Sequence, residues 1–283
     1  MAGAVDQTDI KNQLAKNVGQ VPEKKEKTVF DLIKTLEGEF ARALPEQVGV
    51  QRFVRIATTI VRTNPKLMQC DQMSIIAALM QSAQLGLEPN TPLGQSYLIP
   101  SKNKRVIDGK ERFVDEARFE IGYKGLITLA LRTGEYKAIY AHEVYENDEF
   151  SYQYGLNKDL VHIPADEPHG EPIKYYAVYH LQNGGFDFVV WSENRINKHA
   201  QQYSQAVKKG HSSPWKTDFP GMAKKTVLKE VLKYAPKSTE FARALSMDGT
   251  IKREVPANAD MSEVIDVTDW DAEYVNETEE GAE

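Results

Sequence analysis

Two strand-like segments followed at once by a helix lie within residues 97–137, and this stretch constrains the fold more than any other part of the chain. Residues 97–99 form a short apolar run, and residues 113–121 alternate between apolar and polar side chains, as strands do. Residues 122–132 then show helical spacing, and Gly134 stands where a helix commonly ends in a left-handed residue. We therefore predict two paired strands joined by a long, charged connection, with a helix directly after the second strand.

The same stretch is basic in a chain that is acidic as a whole. It holds nine Lys or Arg against six Asp or Glu, a net charge of +3, whereas the net charge of the chain is −6. Cations beside aromatic side chains suit a phosphate backbone and unstacked bases, with a solvated hairpin loop as the alternative. The candidate DNA-binding residues in this stretch are Lys102, Lys104, Arg105, Lys110, Arg112, Tyr123, Lys124 and Arg132.

The negative net charge comes from the C-terminal end of the chain. Residues 254–283 contain 11 Asp or Glu and no Lys or Arg, so the other residues comprise 35 basic and 30 acidic side chains, a net charge of +5. Residues 195–237 contain ten basic residues against two acidic ones. A basic body with an acidic tail fits nucleic-acid binding. We expect the tail to be disordered and to compete with DNA, or to dock on a replication or nuclease partner of the host.

The N-terminal part of the chain predicts a helical layer. Residues 1–27 are polar, and we expect them to be flexible. Apolar residues at helical spacing then predict three helices, at residues 28–44, 50–62 and 71–85. Their connections are short, so these helices should pack on one another or on a sheet.

The middle of the chain favours β structure. Five segments rich in β-branched and aromatic residues predict strands at residues 139–145, 150–154, 159–163, 173–181 and 186–191. Asn183-Gly184-Gly185 predicts a hairpin turn between the last two, because a positive φ costs little there. The seven tyrosines of this region form either a base-stacking platform or ordinary core and cross-strand pairs, and we favour the core.

A second basic cluster follows these strands. Ser192 begins a predicted helix that runs to Val207, a basic loop follows at residues 208–216, and another helix spans residues 221–234. Lys225, Lys229 and Lys233 recur at i, i+4 and i+8 beside Lys224, at a repulsive cost of a few tenths of a kcal/mol per pair, which favours a polyanion partner over a solvated face. The candidates here are Lys208, Lys209, Trp215, Lys216, Lys224, Lys225, Lys229 and Lys233.

The motifs of several enzyme classes are missing from the sequence. It contains no G-x-x-x-x-G-K-[ST], no G-x-G-x-x-G and no H-E-x-x-H, and its histidines lack metal-ligand spacing. Asp115, Glu116 and Glu120 could form the Mg²⁺ cluster of a nuclease, but adjacent carboxylates on a strand point to opposite faces. We therefore predict a binding protein with no catalytic residue, no metal site and no cofactor. The single cysteine, Cys70, favours a reducing cytoplasm.

Three segments together resemble the RecT family of phage-encoded single-strand annealing proteins. They are residues 86–100, residues 122–134 and residues 215–233, and the likeness spans roughly residues 30–247. The resemblance implies an ATP-independent recombinase that coats single-stranded DNA as an oligomeric filament and anneals it to a complementary strand. It also implies an α+β fold, with an antiparallel or mixed sheet in a β-β-β-α core and appended helices.

The resemblance and the charge pattern together give an expected organisation. Residues 1–27 are a flexible segment, residues 28–247 a single domain for DNA binding, annealing and oligomerisation, and residues 248–283 an acidic tail. The expected partners are single-stranded DNA, the annealed duplex intermediate, further copies of the chain, a phage exonuclease and the single-strand-binding protein of the host, in the bacterial cytoplasm and away from membranes. A Mg²⁺-dependent nuclease and a passive single-strand coat protein are the alternatives.

Overall fold

The N-terminal part of the domain is a layer of helices. The computed structural model of the chain describes residues 27–256, residue 261 and residues 273–274, so most of the predicted flexible segment and most of the predicted tail lie outside it. The helices are α1 (Val29–Thr35), α2 (Glu37–Ala43), α3 (Val50–Thr63), α4 (Pro65–Gln69) and α5 (Gln72–Gln84). The single helix predicted at residues 28–44 is two helices that meet at Leu36, although backbone hydrogen bonds continue across the junction.

Helix α5 is the centre of the domain, because it is buried on every side from Ser74 to Ala83. Its buried polar side chains, Ser74, Gln81 and Ser82, each make at least one hydrogen bond outside the helix. The Ser74 hydroxyl accepts a hydrogen bond from Ala117 N (2.9 Å), and Gln81 Nε2 donates to the Thr250 hydroxyl (2.8 Å). Burial of these groups costs little when the hydrogen bonds are made, so they fix α5 against the elements on both sides.

The basic stretch forms a long antiparallel hairpin of β1 (Ser96–Ile107) and β2 (Lys110–Ile121), each 12 residues long. The turn between them is the pair Asp108-Gly109, with φ of 52° and 73°. The prediction of a long, charged connection was therefore wrong, since most of its charged residues lie in the strands themselves. An Asp-Gly pair with positive φ at both positions makes a tight two-residue turn whose twist matches that of the strands.

Helix α6 (Tyr123–Arg132) follows β2 directly, as predicted, and packs closely on the chain before β1. A Cβ atom at Gly122 would overlap with the carbonyl oxygen of Gly94, and one at Gly125 would overlap with the carbonyl oxygen of Gln95. Only glycine permits such an approach of two backbones. The two glycines therefore hold the start of α6 against the base of the hairpin.

The second half of the domain contains a three-stranded sheet with the order β3-β6-β7 and a two-stranded arm, β4-β5. The strands are β3 (Tyr136–Val144), β4 (Glu149–Gln153), β5 (Asp159–Ile163), β6 (Lys174–Leu181) and β7 (Phe186–Ser192). The His162 ring on β5 lies 3.0 Å from a carboxylate oxygen of Asp148 and 3.1 Å from the Tyr176 hydroxyl, which ties the arm to β6. Tyr175, Tyr176 and Tyr179 are buried, as expected for core residues.

Five further helices complete the described part of the domain; two of them lie close to the helices predicted at residues 192–207 and 221–234, and one lies in the predicted loop at residues 208–216. They are α7 (Glu193–Tyr203), α8 (Gln205–Lys208), α9 (Pro214–Thr217), α10 (Phe219–Val231) and α11 (Thr239–Met247). The predicted helix from Ser192 to Val207 is interrupted at Ser204, which has extended backbone. The fold is thus mixed α/β with antiparallel sheets and several helices, as predicted, while the finer β-β-β-α core stays a prediction. No helix in the described part of the chain is long and apolar enough to cross a membrane.

The chain continues past α11 as an ordered C-terminal strap, defined here as residues 248–256. Phe119 on β2 forms an antiparallel bridge with Thr250, and Ile121 N donates to the Asp248 carboxylate (2.7 Å). Arg253 forms two hydrogen bonds to Glu116 (2.5 and 2.9 Å), whose side chain is fully buried. The strap therefore covers the edge of β2 and neutralises its buried carboxylate, and the boundary between domain and tail stays a prediction.

The close approach of α6 leads to a stability prediction. We expect Gly125→Ala to destabilise the protein by about 1–3 kcal/mol, because the new methyl group must displace backbone. Gly38→Ala is the matched control: its Cβ would meet nothing within 4 Å in helix α2, and alanine should stabilise the helix by up to about 1 kcal/mol. Urea unfolding of both variants measures the difference, and equal stability of the two would contradict this role of Gly125.

Candidate nucleic-acid interface

The outer half of the hairpin carries exposed cations on both strands. Lys102, Lys104, Lys110 and Arg112 are all exposed. Lys104 Nζ lies 3.9 Å from a carboxylate oxygen of Glu111 and 6.0 Å from the centroid of Phe113, whose side chain is about half exposed. An exposed ion pair of this length contributes little, so the four cations are free to approach a phosphate backbone.

Two predicted DNA-binding arginines have structural partners instead. Arg105 Nη1 lies 3.5 Å from Asp71 and 3.8 Å from the buried Glu116, so it joins the hairpin to the start of α5. Arg132 donates to the carbonyl oxygens of Leu85 (2.7 Å) and Gly86 (2.9 Å), where α5 ends. Both guanidinium groups satisfy groups of the protein, and any contact they make with DNA would be secondary to these roles.

The start of α6 and the residues before α10 meet at the base of the hairpin. Tyr123 is half-buried, and Lys224 Nζ lies 5.9 Å from its ring centroid. Trp215 is also half-buried and packs against Phe219, with ring centroids 6.0 Å apart. Lys124, Lys208, Lys209 and Lys216 are exposed, and Lys216 Nζ donates to the carbonyl oxygen of Gly210 (2.7 Å). The two predicted clusters therefore come together at this point.

The lysine row on α10 is not a uniform exposed face. Lys225 is buried, and its Nζ lies 2.6 Å from Glu120 and 2.9 Å from Asp248. Lys224 pairs with Glu143 (2.6 Å), and Lys229 pairs with Asp248 (2.9 Å). Lys225 thus holds two carboxylates of the protein, and its predicted contact with DNA stays a prediction. DNA contact by Lys229 and Lys233, whose side chains are 45% and 61% exposed, stays a prediction.

The buried ion pair shifts the pKa of both partners. Burial by itself opposes the charge on Lys225, but the attraction of Asp248 and Glu120 outweighs it and raises the pKa of Lys225. Burial likewise opposes the charge on Asp248, but the attraction of Lys225 and Lys229, with the hydrogen bond from Ile121 N, lowers the pKa of Asp248. Both groups are therefore charged at neutral pH, and neither is free to exchange a proton there.

A cleft of about 340 Å³ lies between the base of the hairpin and α10. Its walls include Tyr97 and Tyr123 on one side and Asp218 and Met222 on the other. Burial, followed by the nearby charge of Asp218, raises the pKa of Tyr97. The predicted site contained Tyr123 but missed the other three residues. Tyr97 alone gave a signal, because it is an aromatic residue on a basic strand.

The acidic tail contacts both basic clusters at one described point. Strand β8 (Glu273–Tyr274) pairs with β1, placing Glu273 opposite Lys102 and Tyr274 opposite Ser101. The same strand also contacts α8, which ends at Lys208. An acidic segment on this edge of β1 occupies backbone groups beside the exposed lysines, and competition of the tail with DNA stays a prediction.

The three carboxylates that suggested a nuclease, Asp115, Glu116 and Glu120, have different neighbours. Glu116 is held by Arg253 and accepts a hydrogen bond from Asn103 Nδ2 (3.0 Å), whereas Glu120 is bound to Lys225. Asp115 points to the other face of β2, opposite Lys102. Within residues 27–256, 261 and 273–274, no three His, Cys, Asp or Glu residues form a group that could hold a metal ion.

These features define a mixed α/β protein with a basic hairpin beside a basic helical segment, the kind of surface that binds a phosphate backbone. Residues 51–262 match the family model described as RecT family. The chain is 39% identical over 214 residues to Protein RecT of Escherichia coli (strain K12), covering 76% of this chain and 77% of that one. It is also 29% identical over 263 residues to Uncharacterized protein YqaK of Bacillus subtilis (strain 168), covering 91% and 86%. The chain therefore belongs to the RecT family, the single-strand annealing proteins of DNA recombination.

The structural role of Lys225 can be tested by unfolding. We expect Lys225→Met to destabilise the protein by up to about 3–5 kcal/mol, because it removes the buried cation between Glu120 and Asp248 and leaves the buried Asp248 with Lys229 as its remaining cation. Lys233→Met, on the exposed part of α10, should cost less than about 1 kcal/mol. Urea unfolding at neutral pH gives both values.

The pH dependence of that difference provides a second readout. The pKa of Asp248 lies below its ordinary value of 3.8 and that of Lys225 lies above its ordinary value of 10.5. The ion pair therefore stabilises the folded protein fully between pH 3.8 and pH 10.5, and this stabilisation is lost as the pH falls below 3.8 or rises above 10.5. A Lys225→Met variant as stable as the wild type at neutral pH would contradict the buried ion pair.

The tail prediction follows from the position of β8. We expect a chain that ends after Pro256, and so keeps the strap, to bind single-stranded DNA more tightly than the full chain at low salt. The difference should shrink at higher salt, because ions screen charges over about 10 Å at 0.1 M. The matched control is a full-length chain with the tail carboxylates changed to amides, which should behave like the truncated one. Equal affinities at low salt would reject the competition and favour docking of the tail on a partner.

Proposed function

We propose that this protein anneals complementary single strands of DNA without ATP, as an oligomer, during phage recombination. The observation that carries the proposal is the meeting of two basic clusters at the base of the hairpin in a member of the RecT family. The absence of nucleotide-binding motifs from the sequence supports independence from ATP. The reaction needs no covalent chemistry, because pairing of the two strands is favourable by itself.

The exposed cations of the hairpin act on the phosphates and not on the bases. Sequence-independent contacts hold a strand in place while its bases stay available for pairing. Base pairing then supplies the specificity, so the protein needs charge and shape but no code for individual bases. Lys102, Lys110 and Arg112 are suited to this because they are exposed and lie along one extended ribbon.

Annealing of long strands calls for many subunits side by side. One domain of this size offers a short binding surface, so we infer a filament of copies that grows with the length of the DNA and also holds the annealed duplex. A phage exonuclease that supplies the single strand and the host single-strand-binding protein that covers it are the partners expected of this role. The site of action is the cytoplasm of a bacterial host cell.

The test compares two double variants that each remove two positive charges. Lys110→Ala with Arg112→Ala removes cations from the hairpin, and Lys34→Ala with Arg55→Ala removes exposed cations from the helical layer. The hairpin variant should bind single strands more weakly, and the slope of log K against log salt should fall by about 0.7 per lost contact. The control variant should keep both the affinity and the slope of the wild type.

Annealing itself is measured with labelled complementary oligonucleotides in the absence of ATP. The wild type should speed up annealing and leave the strands intact in Mg²⁺, and light scattering should show assemblies that enlarge with DNA length. Degraded strands would favour the nuclease alternative. Tight binding without faster annealing would favour a passive coat protein, and an absolute requirement for ATP would reject the proposal.

A further inference from the structure

The cleft between the hairpin base and α10 has walls that do not suit a phosphate. Two carboxylates, Glu120 and Asp218, and the ammonium group of Lys225 lie on its lining; Lys225 is paired with Glu120, so the charge of Asp218 remains to repel an anion. Asp218 accepts a hydrogen bond from Gly221 N (3.1 Å) at the start of α10, so the amide groups that could attract a phosphate there are already used. The exposed lysines outside the cleft are suited to the phosphates of a DNA strand. The cleft itself is suited to a different chemical group.

The remaining lining is aromatic and apolar. The rings of Tyr97 and Tyr123 form one side, and Ile99, Pro214 and Met222 add apolar surface. Tyr97 is 39% exposed, which is high for an aromatic residue beside the core. A volume of about 340 Å³ lies at the small end of the range of about 300–1,000 Å³ for ligand pockets. The shape and lining suit a flat aromatic group with hydrogen-bond donors on its edge.

Three lysines lie near the cleft lining, and one of them, Lys224, also pairs with Glu143. Lys124 follows Tyr123 directly, Lys216 lies between the lining residues Pro214 and Thr217, and Lys224 lies close to the Tyr123 ring. A strand whose phosphates lie on these lysines brings its bases to the cleft. Carboxylate oxygens accept hydrogen bonds from the amino and ring N–H groups of bases, and base stacking on an aromatic ring does not depend on sequence.

We propose that this cleft is a pocket for one unpaired nucleobase of the bound strand, which stacks on Tyr97 and presents its edge to Asp218. The inference rests on the proposed function, since it assigns a subsite to the same DNA-binding surface. Each subunit then holds one base out of the stack and leaves the neighbouring bases exposed for pairing. The captured base sets the register between strand and subunit, and it must leave the pocket before its own base pair can form.

The experiment compares two probes, a thymidine oligonucleotide and an oligonucleotide of the same length made of abasic sites, so that charge is constant and the bases are absent. The wild type should bind the abasic probe roughly tenfold more weakly, the scale of one lost stacking contact per subunit. Tyr97→Leu removes the ring, and Met222→Trp fills the cleft; both variants should bind the thymidine probe as weakly as the wild type binds the abasic one. Neither should lose further affinity on the abasic probe.

Tyr234→Leu is the matched control, because Tyr234 is 88% exposed and lies outside the cleft lining. It should discriminate between the two probes as the wild type does. Equal affinity of the wild type for both probes would overturn the pocket, and so would equal losses of the folded Tyr97→Leu or Met222→Trp variants on both probes. Annealing by the wild type is measured separately, so failure of the pocket and failure of the proposed function give different results.

Discussion

The ammonium group of Lys225 joins three parts of the chain that are distant in sequence. It lies on α10 and binds Glu120 on β2 and Asp248 in the C-terminal strap. These contacts position α10 against the hairpin and thereby form the cleft between them. A buried charge is tolerated only when it is paired and hydrogen-bonded, so the two carboxylates and the lysine are needed together. The basic surface depends on this arrangement, although Lys225 itself does not belong to that surface.

The glycines at the start of α6 impose a second constraint on the same region. Gly122 and Gly125 allow the helix to approach the backbone at Gly94 and Gln95, and this places Tyr123 beside Tyr97 at the cleft. The motifs that carry the resemblance to the family, residues 86–100 and 122–134, are thus in direct contact in space. The packing of the two segments accounts for their glycines, and hydrogen bonds to carbonyl groups at the end of α5 account for Arg132.

Much of the fold could be predicted from local patterns, and much of the site could not. The alternation of apolar and polar residues predicted β2, and Asn183-Gly184-Gly185 predicted the turn between β6 and β7. Both signals depend only on a few neighbouring residues. The burial of Lys225 was not predictable from helical spacing, since spacing groups the lysines without saying which face another element covers. The strap was missed for a similar reason: residues 248–253 have no pattern of their own, and their order comes from partners such as Glu116, far away in sequence.

The hairpin also has a mechanical consequence. Twelve residues per strand span about 40 Å at about 3.4 Å per residue, and only the half nearest α5 is buried against the domain. The outer half projects from the domain, and the hairpin is anchored by the Ser74–Ala117 hydrogen bond and by the strap, both on the edge of β2 away from β1. A force along the hairpin axis at its tip pulls both strands in the same direction, so it loads the contacts at the base, where the ladder of β1 and β2 joins the domain. Tension in a bound strand would therefore be transmitted to α5 at the centre of the domain and would not peel the ribbon away from its base.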